Sequence, residues 1–201
     1  MTKTMGNLRI TRHINRRVTQ SAFRAVDYAQ SIGVPLNTYV VINFREAPSL
    51  SAGTAFNRVR HKFRDWLIYQ VRKRRLGYRA PAYVYAFEND AGLIHVNWML
   101  HIPSELRSDF EKKLSVWQKR VQGVCGPFDI KIQNIDATYA KRLAKYVLKG
   151  TDPAFTDHFY LNGIASDQGE IPGKRAGVSP FLGPTARKAA GFKKPRRPRY
   201  G

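Results

Sequence analysis

Val40, Val41 and Ile42 stand side by side inside Thr38 to Phe44. Successive side chains of a strand point to opposite faces, so this run reads as a strand covered on both faces. The flanking segments must supply that cover. Arg16 to Ser31 reads as a helix with Val18, Phe23, Ala25, Val26 and Ala29 apolar, and Gly33 stops it. Ser51 to Leu76 carries Phe56, Val59, Phe63, Leu67 and Val71 at helical spacing, with Gly77 as its C-cap. A hairpin follows: Ala82 to Phe87, a turn at Asn89-Asp90-Ala91-Gly92, then Leu93 to Ile102. Pro103-Ser104 opens a helix striped by Phe110, Leu114, Trp117 and Val121. Within Pro127 to Ile135, Phe128, Ile130 and Ile132 alternate as a half-buried strand. Asp136 can cap a last helix from Ala137 to Lys149, ended by Gly150. After the leading helix the order is β-α-β-β-α-β-α. That order fits an α+β fold, a central antiparallel sheet with helices packed on one face.

Composition shifts divide the chain into a basic N-terminal segment and helix (1–35), a sheet domain (36–152), and a basic, Gly/Pro-rich extension (153–201). The extension is expected to be partly disordered, with a short helix between Ser179 and Ala190. Its tip, Phe192 to Gly201, is too basic and too poor in apolar residues to build a core.

With 201 residues, 43% of them hydrophobic, the chain can bury one substantial core. Its 35 Lys and Arg against 14 Asp and Glu leave a net charge of +21. So large a surplus opposes compaction, and a polyanion relieves it by releasing counterions. There is no apolar run of about 18 residues for a membrane span, and Met1 to Gly6 has no apolar signal core. Cys125 is the only cysteine, which excludes an internal disulfide and a Cys-rich zinc site. A reducing, cytoplasmic compartment is expected.

His95 and Asn97 are two apart on a strand, so they share a face about 7 Å apart. That spacing lets both side chains converge on one ion. His101 shares the face but lies about 20 Å further along, which fits a structural role or a phosphate contact. Glu88 ends the preceding strand, across the turn, and can add a carboxylate. Imidazole, amide oxygen and carboxylate form a mostly hard set suited to Mg²⁺ or Mn²⁺. A histidine on a strand serves equally well as a hydrogen-bonded structural residue.

On the last helix Arg142, Tyr146 and Lys149 fall at i−4, i and i+3, along one face. Cations on both sides of a phenol favour its phenolate and can hold a scissile phosphate. A tyrosine attacking phosphorus stores the bond energy in a covalent 5′-phosphotyrosine. Tyr139, seven residues earlier, is either a second nucleophile or part of a packing stripe with Leu143 and Tyr146.

Together these segments resemble the HUH superfamily of single-strand endonucleases, in particular rolling-circle replication initiators. Tyr39 to Phe44 matches the family's apolar first motif. His95-Val96-Asn97 matches its His-hydrophobic-His motif, and Tyr146-Val147-Leu148-Lys149 its Tyr-x-x-Lys motif. The resemblance covers roughly residues 36 to 150 and implies a five-stranded antiparallel sheet. It implies metal binding by His95, nucleophilic attack by Tyr146 and a supporting charge from Lys149. Glu88 matches the glutamate that completes the metal site in viral relatives. The departure is Asn97, where the family has His, or Gln in some viral branches. The stretches Tyr83 to Pro103 and Tyr146 to Pro153 also look like replication-protein-like reading frames of bacterial plasmids and phages, which implies a bacterial host cell.

The helix from Ser51 carries Arg58, Arg60, Lys62, Arg64, Arg72, Lys73, Arg74 and Arg75, opposed only by Asp65. Such a run is either a solvated face or a phosphate-tracking surface. Lys193, Lys194, Arg196 and Arg197 of the C-terminal arm are further candidates for phosphate contacts. Trp66, Tyr69, Tyr78, Tyr83, Tyr85 and Trp98 are candidates for base stacking or for the core.

The expectation is therefore a metal-dependent DNA endonuclease that nicks and rejoins single-stranded origin DNA. Replication initiation, mobilisation or transposition would be its setting. No ATPase phosphate loop is present, so unwinding falls to a partner such as a host helicase. The rival expectations are a non-catalytic DNA-binding protein on the same fold, and an RNA-binding basic protein.

Overall fold

The computed structural model describes residues 9–45, 51–77, 80–90 and 92–193. In chain order its elements are β1 (Ile10–Thr11), α1 (Arg16–Ser31), β2 (Thr38–Asn43), α2 (Ala52–Lys73), β3 (Tyr83–Asp90), β4 (Leu93–Leu100), α3 (Arg107–Gln122), β5 (Ile130–Asn134), α4 (Ala140–Val147), α5 (Thr156–Phe159), β6 (Ile171–Pro172), β7 (Ala176–Val178) and α6 (Pro184–Ala189). The helix starts follow local capping chemistry. Asn15 accepts from the Val18 amide at the start of α1, and Ser51 accepts from the Thr54 amide at the start of α2. Gly123, at φ 80°, closes α3 in the left-handed conformation that costs glycine least.

Five strands form one antiparallel sheet in the order β5-β2-β4-β3-β7, and β1 pairs with β6 apart from it. β4 thus lies at the centre, between β2 and β3. Register sorts the side chains. Val40, Ile42, Tyr85, Phe87, Val96 and Trp98 share one face. There Phe56 and Phe63 of α2 and Phe110 of α3 meet the Trp98 ring at centroid distances of 5.3, 5.2 and 6.4 Å. Trp98 is fully enclosed, so Trp98→Ala should cost about 3–5 kcal/mol of stability, read from denaturant unfolding midpoints.

The opposite face carries Tyr39, Glu88, His95, Asn97 and Met99, and α1 and α4 pack together on this side. Helices therefore cover both faces, which corrects the one-face expectation. The cause is the hairpin itself: Val84, Ala86 and Met99 are as fully buried as Val96 and Trp98 behind them. One helical layer cannot dry two apolar faces.

The N-terminal segment and the extension are built into this domain. Around Ile14, the backbone N–H donates to the Gly150 carbonyl (2.8 Å) and the carbonyl accepts from Asp152 (3.0 Å), tying the entry to α1 to the end of α4. β7, from the extension, supplies the fifth strand. Gly177 of β7 lies so close to Tyr85 that a Cβ would sit 2.9 Å from the phenol oxygen. The Arg175 guanidinium, 2% exposed, donates to carbonyls of Thr11, Phe87, Gln168 and Gly169. Arg187 likewise donates to the Ser21 and Leu182 carbonyls. The expected short helix resolves into a 3-10 turn at Pro180–Leu182 and then α6. Phe192 packs 5.0 Å from Tyr28. Tyr78, Lys194, Arg196 and Arg197 lie outside the described residues.

Candidate active site

The β3–β4 register sets Glu88 directly opposite His95, and Ala86 opposite Asn97. Glu88 is 3% exposed and Asn97 2%, on a sheet face where buried polar groups need partners. His95 Nε2 lies 3.0 Å from Glu88 Oε2. The chain leaving α4 brings Lys149 Nζ to the same oxygen, also at 3.0 Å. Lys149 Nζ in turn sits 4.2 Å from the centroid of the Tyr146 ring. Tyr39 of β2 donates from its hydroxyl to Asn97 Oδ1. Two strands, a neighbouring strand and the end of a helix thus bring Tyr39, Glu88, His95, Asn97, Tyr146 and Lys149 to one place. Tyr146 is its exposed member, at 47%.

Burial alone would raise the Glu88 carboxyl. Hydrogen bonds and positive charge from His95 and Lys149 outweigh it, and its pKa falls below the ordinary value of 4.5. Burial lowers Lys149, but the Glu88 carboxylate and Tyr146 outweigh that and raise it. Tyr39 is held well above the usual phenol value, first by burial and then by the nearness of Tyr146 and Glu88. Tyr39 is therefore a neutral hydrogen-bond donor at neutral pH.

A carboxyl that titrates lower when folded contributes stability that is complete above its unfolded pKa and is lost as pH falls through the folded value. Lys149 carries the opposite sign, with its contribution lost only as pH rises past its raised value. The thermal midpoints of the natural protein and Glu88→Gln should accordingly converge as pH drops below about 4.5 and separate above it. Melting curves across acid pH measure this directly.

The donor set fits a hard divalent cation. Glu88 Oε1 is buried without a protein partner, which leaves a carboxylate oxygen to be satisfied. Asn97 Nδ2 is also buried and unpartnered, while its oxygen takes the Tyr39 proton. Turning the amide over frees the oxygen for a cation and lets the NH₂ donate to the Tyr39 oxygen. His95 contributes an imidazole nitrogen. Among the described residues no group of three or more His, Cys, Asp or Glu could hold a metal, so a cation here would have to take the amide of Asn97 beside Glu88 and His95.

The remaining candidates fall elsewhere. His101 is structural: its Nδ1 lies 2.8 Å from the Pro35 carbonyl, and burial lowers its pKa. Arg142 sits 5.8 Å from the Tyr139 ring. Tyr139 and Tyr146 are 45% and 47% exposed, so they form no packing stripe with the buried Leu143. α4 is shorter than expected, starting at Ala140, and Asp136 instead accepts from Thr138 in the preceding turn. The basic side chains of α2 lie over the sheet face opposite Tyr146. Arg58, Arg72, Lys73 and Arg75 are exposed there and Lys62 is half-buried. Arg60 is drawn onto Phe56, Tyr83 and Tyr85, Arg64 pairs with Asp65, and Arg74 pairs with Asp109. Tyr83, Tyr85 and Trp98 are core, Trp66 packs against Phe63, Phe110 and Trp117, Tyr69 is exposed, and Lys193 is exposed beyond α6.

Sequence reasoning missed the part of Tyr39 at the site. The one signal was parity: Tyr39 shares a strand face with Val41, but only the pairing of β2 with β4 brings it to Asn97. Scanned against protein-family models the sequence matches none, and a search for curated relatives returned no match.

Proposed function

We propose that the protein is a metal-dependent, tyrosine-nucleophile endonuclease that nicks and rejoins single-stranded DNA, with initiation of rolling-circle replication of a plasmid or phage as its role. The observation that carries this reading is the convergence of Tyr146 and Lys149 with Glu88 and His95. The sequence order of these groups resembles the HUH pattern, and the elements from β2 to α4 run β-α-β-β-α-β-α.

In this reading Tyr146 attacks phosphorus. Its phenolic oxygen forms the P–O bond as the bond to the 3′-oxygen breaks. The phenol proton leaves to solvent, and the released 3′-oxygen takes up a proton. Rejoining reverses the exchange. Lys149 neutralises the phosphate charge at the tyrosine, and its raised pKa keeps it cationic throughout. Glu88, His95 and Asn97 would hold Mg²⁺ or Mn²⁺, which supplies Lewis-acid polarisation of a phosphoryl oxygen. With the Asn97 amide turned over, the Tyr39 oxygen would accept from its NH₂ and hold the amide oxygen toward the cation.

A second reading has a specific observation behind it. Lys149 already neutralises Glu88, and the Tyr39 hydroxyl already occupies the Asn97 oxygen. Both features suit a non-catalytic DNA binder whose cation site is closed. Labelled single-stranded origin DNA, incubated with Mn²⁺ and separately with EDTA, distinguishes the two. A denaturant-resistant protein–DNA adduct that needs Mn²⁺ is expected. Tight binding with no adduct, on DNA known to be nicked in the cell, would move the assignment to the binder.

A further inference from the structure

α4 turns its outer side to the turn after α5, and a groove of about 800 Å³ runs between them. Tyr139, Arg142, Lys145, Tyr146, Tyr160 and Ile164 line it. Three tyrosines along one groove are unusual for a monomer surface, because each leaves a large ring half in water: 45%, 47% and 61% exposed for Tyr139, Tyr146 and Tyr160. Each ring has a cation beside it. Arg142 lies 5.8 Å from the Tyr139 centroid, Lys145 6.0 Å from that of Tyr160, and Lys149 4.2 Å from that of Tyr146. Lys141 also borders the groove but is bound to Asp27 at 2.8 Å. No acidic side chain lines the groove among the described residues.

Tyr160 adds an independent observation. Its backbone lies in the left-handed region, at φ 56° and ψ 48°, which a bulky residue rarely adopts. The next residue, Leu161, is fully buried and anchors the turn. Together they hold an aromatic ring out over the groove at a conformational cost. Exposed rings interleaved with cations are the chemistry that grips single-stranded nucleic acid, by base stacking and phosphate neutralisation.

We propose that this groove is the path of single-stranded DNA to Tyr146, with bases stacked on Tyr139 and Tyr160 and phosphates held by Arg142 and Lys145. This rests on the nuclease reading for its substrate but not on cleavage. α2 packs its apolar side on the opposite face of the sheet, and among the described residues none of its basic side chains lines this groove.

The test is fluorescence-anisotropy binding of labelled oligo(dT) to the full chain in EDTA, where no metal-dependent step occurs. Tyr160→Ala should weaken binding about tenfold, and Tyr160→Phe should hold the natural affinity. Arg142→Gln with Lys145→Gln should flatten the plot of log affinity against log salt by about 1.4. Natural affinity in both Tyr160→Ala and Tyr139→Ala would overturn the proposal. So would a loss that Tyr160→Phe shares, or a larger loss from Arg72→Gln with Lys73→Gln on α2 than from the groove variants. Preference for a folded RNA hairpin over oligo(dT), indifferent to the tyrosine variants, would also overturn it. Because binding is read without cleavage, an absent Mn²⁺ adduct would remove the nuclease reading and leave this result standing.

Discussion

Tyr146→Phe is expected to abolish the covalent protein–DNA adduct while leaving oligo(dT) affinity intact. The substitution removes one oxygen from a ring that is 47% exposed, so the structural cost is confined to that oxygen's hydrogen bond with Lys149. Phenylalanine keeps the π-face that Lys149 approaches at 4.2 Å and that a base could stack against. What disappears is the atom that would bond to phosphorus. Denaturing gels of labelled DNA separate the two properties, because only a covalent link survives detergent. An adduct that persists in Tyr146→Phe would assign the attack elsewhere. Tyr139 would be next, being exposed in the same groove.

Glu88→Ala is expected to damage both the fold and the cation site. Glu88 Oε2 receives His95 and Lys149, and the side chains of Glu88, Lys149 and His95 are only 4%, 15% and 19% exposed. Removing the carboxylate leaves a largely enclosed ammonium with no counterion. Breaking a pair this enclosed costs about 3 kcal/mol or more. Thermal denaturation at neutral pH reads that loss. Calorimetry with Mn²⁺ reads the other consequence, and His95→Ala, whose imidazole is more open to solvent, checks the ligand role where Glu88→Ala folds poorly. Both variants should lose Mn²⁺ binding. Retention of natural Mn²⁺ affinity by His95→Ala would remove His95 from the ligand set.

Much of the architecture was legible because it rests on local periodicity. α1 matches its expected span, Arg16 to Ser31, and α2 loses only frayed ends. Glu88 and His95 were foreseeable as neighbours because a tight hairpin fixes its own register. What escaped was non-local. Ala176–Val178 is three residues with a central glycine, too short and too plain to announce a strand, yet it closes the sheet against β3. Arg175 looked like one more surface cation, but it is buried and donates to four carbonyls from three separate segments. The run Val40-Val41-Ile42 did carry the signal for cover on both faces. The count of helices could not say which faces they take. Phe128, expected in a half-buried strand, lies before β5 and is 87% exposed, since alternation alone does not mark where pairing begins. The basic run on α2 was legible as charge but not as position, because the face a helix covers depends on the sheet it meets.

The most direct measurement is the attachment site. The protein is incubated with Mn²⁺ and single-stranded origin DNA, then digested, and the nucleotide-bearing peptide is sequenced by mass spectrometry. The nucleotide is expected on Tyr146 in the peptide that contains Tyr146-Val147-Leu148-Lys149. A nucleotide on Tyr139 or Tyr160, or no modified peptide from DNA that is nicked in the cell, would contradict the assignment.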